Sequence, residues 1–173
     1  MNENAKKFLK EWVIPFGIEI LVVLFLVKFV FFFVIVPTGS MIPTIEEKSF
    51  LFATRIHNPQ KNLQRGDIVV FDSDEMDKIL VKRLIGLPGE HIVLDENGKL
   101  FVNNELVEEP YVRRVAKISG DFTVPEGYYL FLGDNRRGSY DARYWEQPYI
   151  PEENIRGKAI FTIFPFSKFG KLN

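Results

Sequence analysis

Three short segments of this sequence hold the side chains whose types and positions could do chemistry. Ser40 follows a glycine and precedes the turn-prone run Met-Ile-Pro-Thr, and a serine hydroxyl becomes a nucleophile once a base removes its proton. Lys82 lies among Ile, Leu and Val, where desolvation would lower the pKa of its amine and favour the neutral, basic form. Residues 133–143 (GDNRRGSYDAR) form a dense polar loop directly after an apolar strand, a common place for a functional site.

Each segment also has a plainer interpretation, which the residue pattern leaves open. Periodicity alone favours Lys82 and Arg83 as a solvated pair on an exposed strand face, and residues 133–143 as a solvated turn. To act as a base near neutrality, Lys82 needs its pKa to fall by roughly 3 units, at a cost of about 4 kcal/mol. His57 and His91 are other possible bases, although neither lies in a recognisable catalytic setting.

The composition excludes several classes of function. The 22 Lys and Arg residues nearly balance the 23 Asp and Glu residues, so the net charge of −1 provides no basic excess for binding nucleic acid. The chain has no cysteine, which excludes a disulfide framework, a thiol nucleophile and a Cys-ligated metal. Two histidines are too few for a multi-histidine metal site. The composition therefore gives no indication of a metal site, and the sequence implies no organic cofactor.

The elements that must position these residues begin with an N-terminal apolar segment. Residues 12–36 carry only two charges, Glu19 and Lys28, and are long enough to span a bilayer once as a helix. Lysines precede this segment, so the positive-inside rule places residues 1–11 in the cytoplasm and the remainder of the chain outside. A cleaved signal peptide is the rival interpretation, but the apolar run is longer than an ordinary h-region and no small-x-small site follows it.

We assign the transmembrane anchor to residues 12–33 and leave open an earlier outer end near Lys28. In that alternative the helix runs from about Lys10 to Lys28, with Pro15 in its first turns. Residues 29–36 would then continue as an apolar strand that emerges directly from the membrane. Such a strand would hold the residues that follow it at the bilayer surface.

Residues 34–173 are predicted to form a β-rich extracytoplasmic domain. Short apolar runs alternate with turn signals and helical periodicity is nearly absent, which is typical of an all-β sandwich or barrel-like domain. Asn97-Gly98 between two such runs is a hairpin signature, because both residues tolerate a positive φ. The predicted fold class is mainly β, behind one N-terminal transmembrane helix.

Four segments together resemble the type I signal peptidases, the membrane-bound serine/lysine proteases that remove signal peptides from exported proteins. They are SMIPT (40–44), RGDIVVF (65–71), KRLIGLPGE (82–90) and GDNRRGSYDAR (133–143), in the family's order behind one N-terminal anchor. The resemblance covers essentially the whole chain and looks like the compact single-span form of Gram-positive bacteria. It implies a signal-peptidase-like β-domain on the extracytoplasmic face of the cell membrane.

The resemblance implies catalytic roles for four residues. Ser40 would attack the scissile carbonyl, and neutral Lys82 would take its proton and later give one to the leaving amine. The backbone N–H of Ser40, helped by the hydroxyl of Thr38, would form the oxyanion hole. Ser139 matches the serine that hydrogen-bonds and orients the lysine.

The resemblance also implies supporting residues. Asp134 and Arg143 match a charge pair that braces the site, with Asp141 close by. Ala142 departs from the family, which often has serine there, and this puts in doubt a local hydrogen bond rather than the activity. Four residues match positions that line shallow pockets for small side chains and so direct cleavage to Ala-x-Ala sites: Val36, Met41, Leu80 and Val81.

The implied partners are the signal peptides of exported preproteins and the lipid bilayer, while the oligomeric state is left open. Two alternative functions are also left open. One is a catalytically silent, membrane-tethered β-domain that binds exported proteins, and the presence of Ser40, Lys82 and Ser139 argues against it. The other is a relative with the same dyad and one dedicated substrate, which the sequence does not distinguish from a general processing peptidase.

Overall fold

The computed structural model describes residues 2–113 and 115–172. These residues form two compact units, Met1–Phe32 and Phe33–Asn173. The first unit is helical and the second is built from strands, so the predicted class, mainly β with an N-terminal apolar helix, is confirmed.

The backbone of the first unit is helical almost throughout. Its π-helical turn ends two residues before Pro15, whose ring has no N–H to donate to the preceding turn. The local change of helix type therefore lies where a proline disturbs an α-helix most. In chain order the elements are α1 (Glu3–Phe8), the π-helical turn (Leu9–Val13) and α2 (Ile14–Phe29).

The helix includes a stretch, Lys6–Phe29, that is 24 residues long and apolar enough to cross a membrane. It begins earlier than expected, so Pro15 lies near the middle of the helical segment rather than in its first turns. Helical backbone ends at Phe29, and strand begins at Phe31. This end is closer to the earlier of the two outer ends that we considered.

The described residues of the second unit form two sheets, and the strand at the edge of the larger sheet begins at Phe31. The neighbouring strands of the larger sheet pair antiparallel from β2 onward. In spatial order they are β1 (Phe31–Val36), β2 (Ser49–Arg55), β11 (Ile155–Phe164), β3 (Ile68–Ser73), β4 (Lys78–Gly86), β9 (Tyr128–Leu132) and β10 (Tyr149–Pro151), and β12 (Gly170–Lys171) pairs with β11. The smaller sheet follows the order β7 (Glu105–Val107), β6 (Leu100–Val102), β5 (His91–Leu94) and β8 (Gly120–Thr123). The remaining short elements are α3 (Pro59–Asn62) and 3₁₀ turns at Gly39–Met41, Glu152–Asn154 and Phe166–Lys168.

Strand β4 occupies an interior position in the larger sheet, between β3 and β9. Every residue from 81 to 86 is buried, so this part of the strand is covered on both faces. The apolar core includes side chains of both sheets, with Leu84 of β4, Ile92 of β5 and Leu130 of β9 fully buried. Burial on both faces makes β4 a rigid support for polar residues that project from it.

The predicted hairpin between β5 and β6 is confirmed, with one difference in its turn. Gly98 has a φ of +77°, but Asn97 does not adopt a left-handed conformation. The carboxylate of Asp95 accepts hydrogen bonds from the backbone N–H groups of Asn97 and Lys99 instead, at 2.9 and 2.8 Å. An aspartate that bonds to its own turn replaces the second left-handed residue.

Candidate active site

Ser40 lies in the 3₁₀ turn Gly39–Met41, which follows β1, and it is buried. Asn135 of the loop after β9 holds this turn from the other side. Its backbone N–H donates to the carbonyl of Ser40 at 3.0 Å, and its side-chain amide donates to the carbonyl of Gly39 at 3.0 Å. Two backbone carbonyls of the serine turn are thus bonded to one residue, which holds the backbone that carries the Ser40 side chain.

Lys82 projects from β4 toward this turn, and its Nζ lies 2.5 Å from the Oγ of Ser40. Only 3% of Lys82 is exposed, and burial lowers the pKa of its amine from the ordinary 10.5 to about 8. The interpretation of Lys82 and Arg83 as a solvated surface pair is wrong, because both side chains are buried. Alternation fails to predict this, since β4 is covered on both faces.

Neighbouring charges shift the pKa of Lys82 in opposite directions, and each of these shifts is smaller than the one that burial causes. The carboxylates of Asp141 and Asp134 raise the pKa of Lys82, whereas the guanidinium of Arg143 lowers it. The net result is an amine that can be neutral in weakly alkaline solution and still accept a proton. That balance is what a general base requires.

Asp134 is fully buried and pairs with Arg83, not with Arg143 as predicted. Arg83 donates from Nε and Nη2 to the two carboxylate oxygens at 2.8 and 2.7 Å, and Thr44 donates its hydroxyl at 2.5 Å. The predicted pair of Asp134 and Arg143 is therefore wrong. Arg83 follows Lys82 in β4 and projects to the opposite face, where it reaches Asp134 just beyond the neighbouring strand β9.

Arg143 forms a second pair, with Asp141, and this pair also holds the loop backbone. Its Nε and Nη2 donate to the two oxygens of Asp141 at 2.7 and 2.9 Å. Asp141 in turn accepts a hydrogen bond from the backbone N–H of Gly133 at 2.9 Å. Ala142 between them is buried in the apolar core, where a methyl group packs well.

The loop also packs closely against the serine turn at Gly133. A Cβ atom added there would lie 2.5 Å from the carbonyl oxygen of Ser40 and closer still to Oγ of Ser139. No side chain fits into this space without moving one of these two residues. The glycine therefore allows the two backbones to approach closely.

Ser139 is brought to the same place but makes no hydrogen bond with Lys82. Its Oγ is buried and has no hydrogen-bond partner among the described residues. An unpaired buried hydroxyl is uncommon and costs free energy. Its position beside Gly133, which lies against the serine turn, is nevertheless compatible with a role in the site.

The serine and lysine open onto a cleft of about 520 Å³. The hydroxyl of Thr38, which also lines this cleft, lies 3.5 Å from Oγ of Ser40. Three of the four predicted pocket residues line the cleft: Val36, Leu80 and Val81. The fourth, Met41, is fully buried and does not line it.

Several residues near the site were not predicted. Asn135 and Gly133 belong to the polar loop, whose turn chemistry was recognised, but their contacts with Ser40 depend on the fold. Gly138 and Tyr140 of the same loop also line the cleft, although neither was predicted as a pocket residue. The two histidines lie elsewhere, because His57 lines a separate cavity and His91 pairs with Asp121 at 2.7 Å.

The chain is similar over nearly its whole length to proteins of one known family. The family described as "Signal peptidase, peptidase S26" matches residues 9–164. Signal peptidase I of Bacillus licheniformis is 36% identical over 181 residues, which cover 98% of this chain and 96% of that protein. Signal peptidase I S of Bacillus subtilis (strain 168) is 33% identical over 184 residues, which cover 99% and 98%. A solved structure of a signal peptidase I from Enterococcus faecalis V583 matches with a TM-score of 0.49 at 32% identity, over 56% of this chain and 96% of that one.

The family and the two Bacillus proteins define the chain as a serine endopeptidase. It belongs to the signal peptidase family, peptidase S26. The resemblance that the four sequence segments carry is thereby confirmed.

Proposed function

We propose that this protein cleaves N-terminal signal peptides from exported preproteins, with Ser40 as nucleophile and Lys82 as general base. One observation carries the proposal: the Nζ of Lys82 lies 2.5 Å from the Oγ of Ser40, in a buried environment that opens onto a cleft. A serine is a weak nucleophile until a base takes its proton, and a neutral amine at this distance can take it directly.

In the first half of the reaction, Oγ of Ser40 attacks the scissile carbonyl carbon while its proton moves to Nζ of Lys82. The carbonyl oxygen gains negative charge, which the backbone N–H of Ser40 and the hydroxyl of Thr38 would stabilise. Lys82 then gives the proton to the amide nitrogen as the C–N bond breaks. The mature protein leaves as an amine, and the signal peptide remains as an ester on Ser40.

In the second half, neutral Lys82 takes a proton from water, which attacks the ester carbonyl. The C–O bond to Ser40 breaks, and the proton returns from Lys82 to the serine oxygen. Lys82 therefore balances the protons of both steps, since it ends each step in the neutral form in which it began.

Cleavage after small-x-small sites is part of the proposal. Val36, Leu80 and Val81 line the cleft, and we infer that their branched side chains leave only shallow space beside the catalytic pair. Side chains as small as alanine fit into such space, while larger ones would have to displace the walls. Met41 would act from beneath the surface, through packing rather than contact.

We further propose that residues 12–33 anchor the protein in the cell membrane, with residues 1–11 in the cytoplasm and residues 34–173 on the extracytoplasmic face. The apolar stretch Lys6–Phe29 is long enough for one crossing. The lysines that flank its start favour this orientation.

The experiment is cleavage of a preprotein with an Ala-x-Ala site by the full chain in lipid vesicles. We expect cleavage by the wild type and by the matched controls His57→Ala and His91→Ala, and none by Ser40→Ala or Lys82→Ala. A second preprotein with Leu-x-Leu at the same site should be resistant.

Retained activity of Lys82→Ala would overturn the dyad and return the two histidines as candidate bases. Efficient cleavage at Leu-x-Leu would overturn the proposed specificity. No cleavage by folded wild-type protein would favour a silent binding domain or a dedicated substrate instead.

A further inference from the structure

We propose that Glu109 is a positioning residue for the catalytic serine, acting through Arg136 and the backbone of Gly133. The inference rests on the proposed function and adds a residue outside the cleft to it. Glu109 lies in the segment that follows the short strand β7 of the smaller sheet, and its connection with the site is made through space.

Glu109 and Arg136 form a buried, two-pronged ion pair. The Nη1 and Nη2 atoms of Arg136 donate to the two carboxylate oxygens of Glu109 at 2.8 and 2.5 Å. The side chains of Arg136 and Glu109 are only 3% and 7% exposed, so water does not compete for these bonds. A paired guanidinium in this geometry has one preferred orientation.

That orientation aims the third donor of Arg136 at the loop beside the serine. Its Nε donates to the carbonyl of Gly133 at 3.1 Å, while the N–H of Gly133 is held by Asp141. Gly133 packs close to the carbonyl of Ser40, because a Cβ atom added to the glycine would lie 2.5 Å from that oxygen. The chain of contacts therefore runs from Glu109 through Arg136 and Gly133 to Ser40.

Tyr111 connects the same segment with the other buried ion pair. Its hydroxyl donates to Glu109 at 2.7 Å, and its ring centre lies 3.8 Å from the guanidinium carbon of Arg83. Burial raises the pKa of Tyr111, so its hydroxyl keeps the proton that it donates. Because Arg83 pairs with Asp134, the segment of Glu109 and Tyr111 contacts both buried ion pairs, Arg83–Asp134 and Arg136–Glu109.

Neither Glu109 nor Arg136 lines the cleft, so neither touches a substrate there. Their effect must come through the position of Gly133 and hence of Ser40. A small displacement of a nucleophile lowers the rate of reaction much more than it lowers the affinity for substrate. The inference thus predicts a change in kcat with little change in KM.

The test compares Glu109→Gln with Glu90→Gln in the full chain, using the Ala-x-Ala preprotein in vesicles. Glu90 is a matched control, because it also forms a two-pronged ion pair, with Arg65, and does not line the cleft. We expect Glu109→Gln to lower kcat by about tenfold to a hundredfold, with KM changed less than about twofold. Glu90→Gln should leave kcat within about twofold of the wild type.

An unchanged kcat in Glu109→Gln would overturn the inference while leaving the proposed function intact. So would an equal loss of kcat in both variants, since that indicates a general loss of stability. If Glu109→Gln does not fold, Arg136→Lys is the deciding variant: it keeps the positive charge beside Glu109 but has no Nε to donate to Gly133. A normal kcat in Arg136→Lys would also overturn the inference. Failure of the wild-type protein to cleave the preprotein would count against the proposed function instead.

Discussion

The guanidinium of Arg83 donates hydrogen bonds to both carboxylate oxygens of Asp134, at 2.8 and 2.7 Å, and neither side chain is more than 2% exposed. Arg83 directly follows Lys82, the proposed general base, in β4. Removal of one partner would leave the other charged and unpaired in the interior, which is strongly unfavourable.

We expect Arg83→Met to lower the free energy of unfolding by about 3–5 kcal/mol. The matched control is Arg156→Met, because Arg156 forms a similar pair with Asp72 whose side chains are 43% and 41% exposed. That variant should lose less than about 1 kcal/mol. Urea unfolding of the full chain in detergent measures both, and equal losses would contradict the assignment of Arg83 as a buried brace.

On the proposed mechanism, the pH dependence of cleavage follows from the pKa of Lys82, which burial lowers to about 8. Below this pH the amine is protonated and cannot accept the proton of Ser40. We expect kcat/KM to fall about tenfold per pH unit below about pH 8 and to level off above it. Initial rates across this range measure the profile, and a limb centred near about 6.5 would indicate a histidine instead.

Stability should depend on pH through the same residue. The native state releases the proton of Lys82 at a pKa of about 8, whereas the unfolded chain holds it up to the ordinary pKa of 10.5. Between these values the unfolded state binds more protons, so stability rises with pH. Relative to Lys82→Met, the wild type should gain about 3 kcal/mol across this interval. Parallel pH profiles of the unfolding free energy for the two proteins would contradict the lowered pKa.

Gly133→Ala should slow the reaction because its methyl group would collide with the carbonyl of Ser40. We expect kcat to fall by about a hundredfold, since the nucleophile must move. Gly17→Ala is the control, because an added Cβ at that helical glycine meets no atom within 4 Å. Normal turnover in Gly133→Ala would show that the loop adapts without moving the serine.

Ser139→Ala separates a catalytic role from a structural one. The hydroxyl of Ser139 has no hydrogen-bond partner among the described residues, so its removal should not lower the free energy of unfolding. We expect turnover to fall, but less completely than in Ser40→Ala. Cleavage assays and urea unfolding of the same preparation measure both quantities, and an unchanged rate would remove the role proposed for this serine.

The sequence was sufficient to identify most of the site residues, but it predicted their contacts less well. Local context drew attention to Ser40 and Lys82, but periodicity alone favoured a solvated Lys82, and only the family resemblance of the four segments assigned the two residues to one site. The partner of Asp134 was assigned wrongly because Arg83 and Arg143 both belong to the segments that carry the resemblance. The pairing of β4 with β9 brings Arg83 next to Asp134, and the sequence alone does not show this pairing.

The contribution of Glu109 lay beyond prediction for a similar reason. A single glutamate after a short strand is an ordinary surface residue by pattern, and 27 positions separate it from Arg136. Met41 was placed in the pocket because it matches a pocket position of the family, but its side chain is fully buried in the 3₁₀ turn Gly39–Met41. Such outcomes depend on tertiary packing rather than on local sequence.

Lys82 and Arg83 are consecutive residues of β4 whose side chains project to opposite faces of the strand. Lys82 contacts Ser40 in the cleft, and Arg83 pairs with Asp134 on the other face. A slip of one residue in the pairing of β4 would exchange these two faces. It would bring a guanidinium, which never loses its proton, to the serine, and bury an amine beside the carboxylate. Correct pairing register of β4 is thus itself a condition for activity. A molecule with the shifted register would keep its strands but would not cleave the substrate.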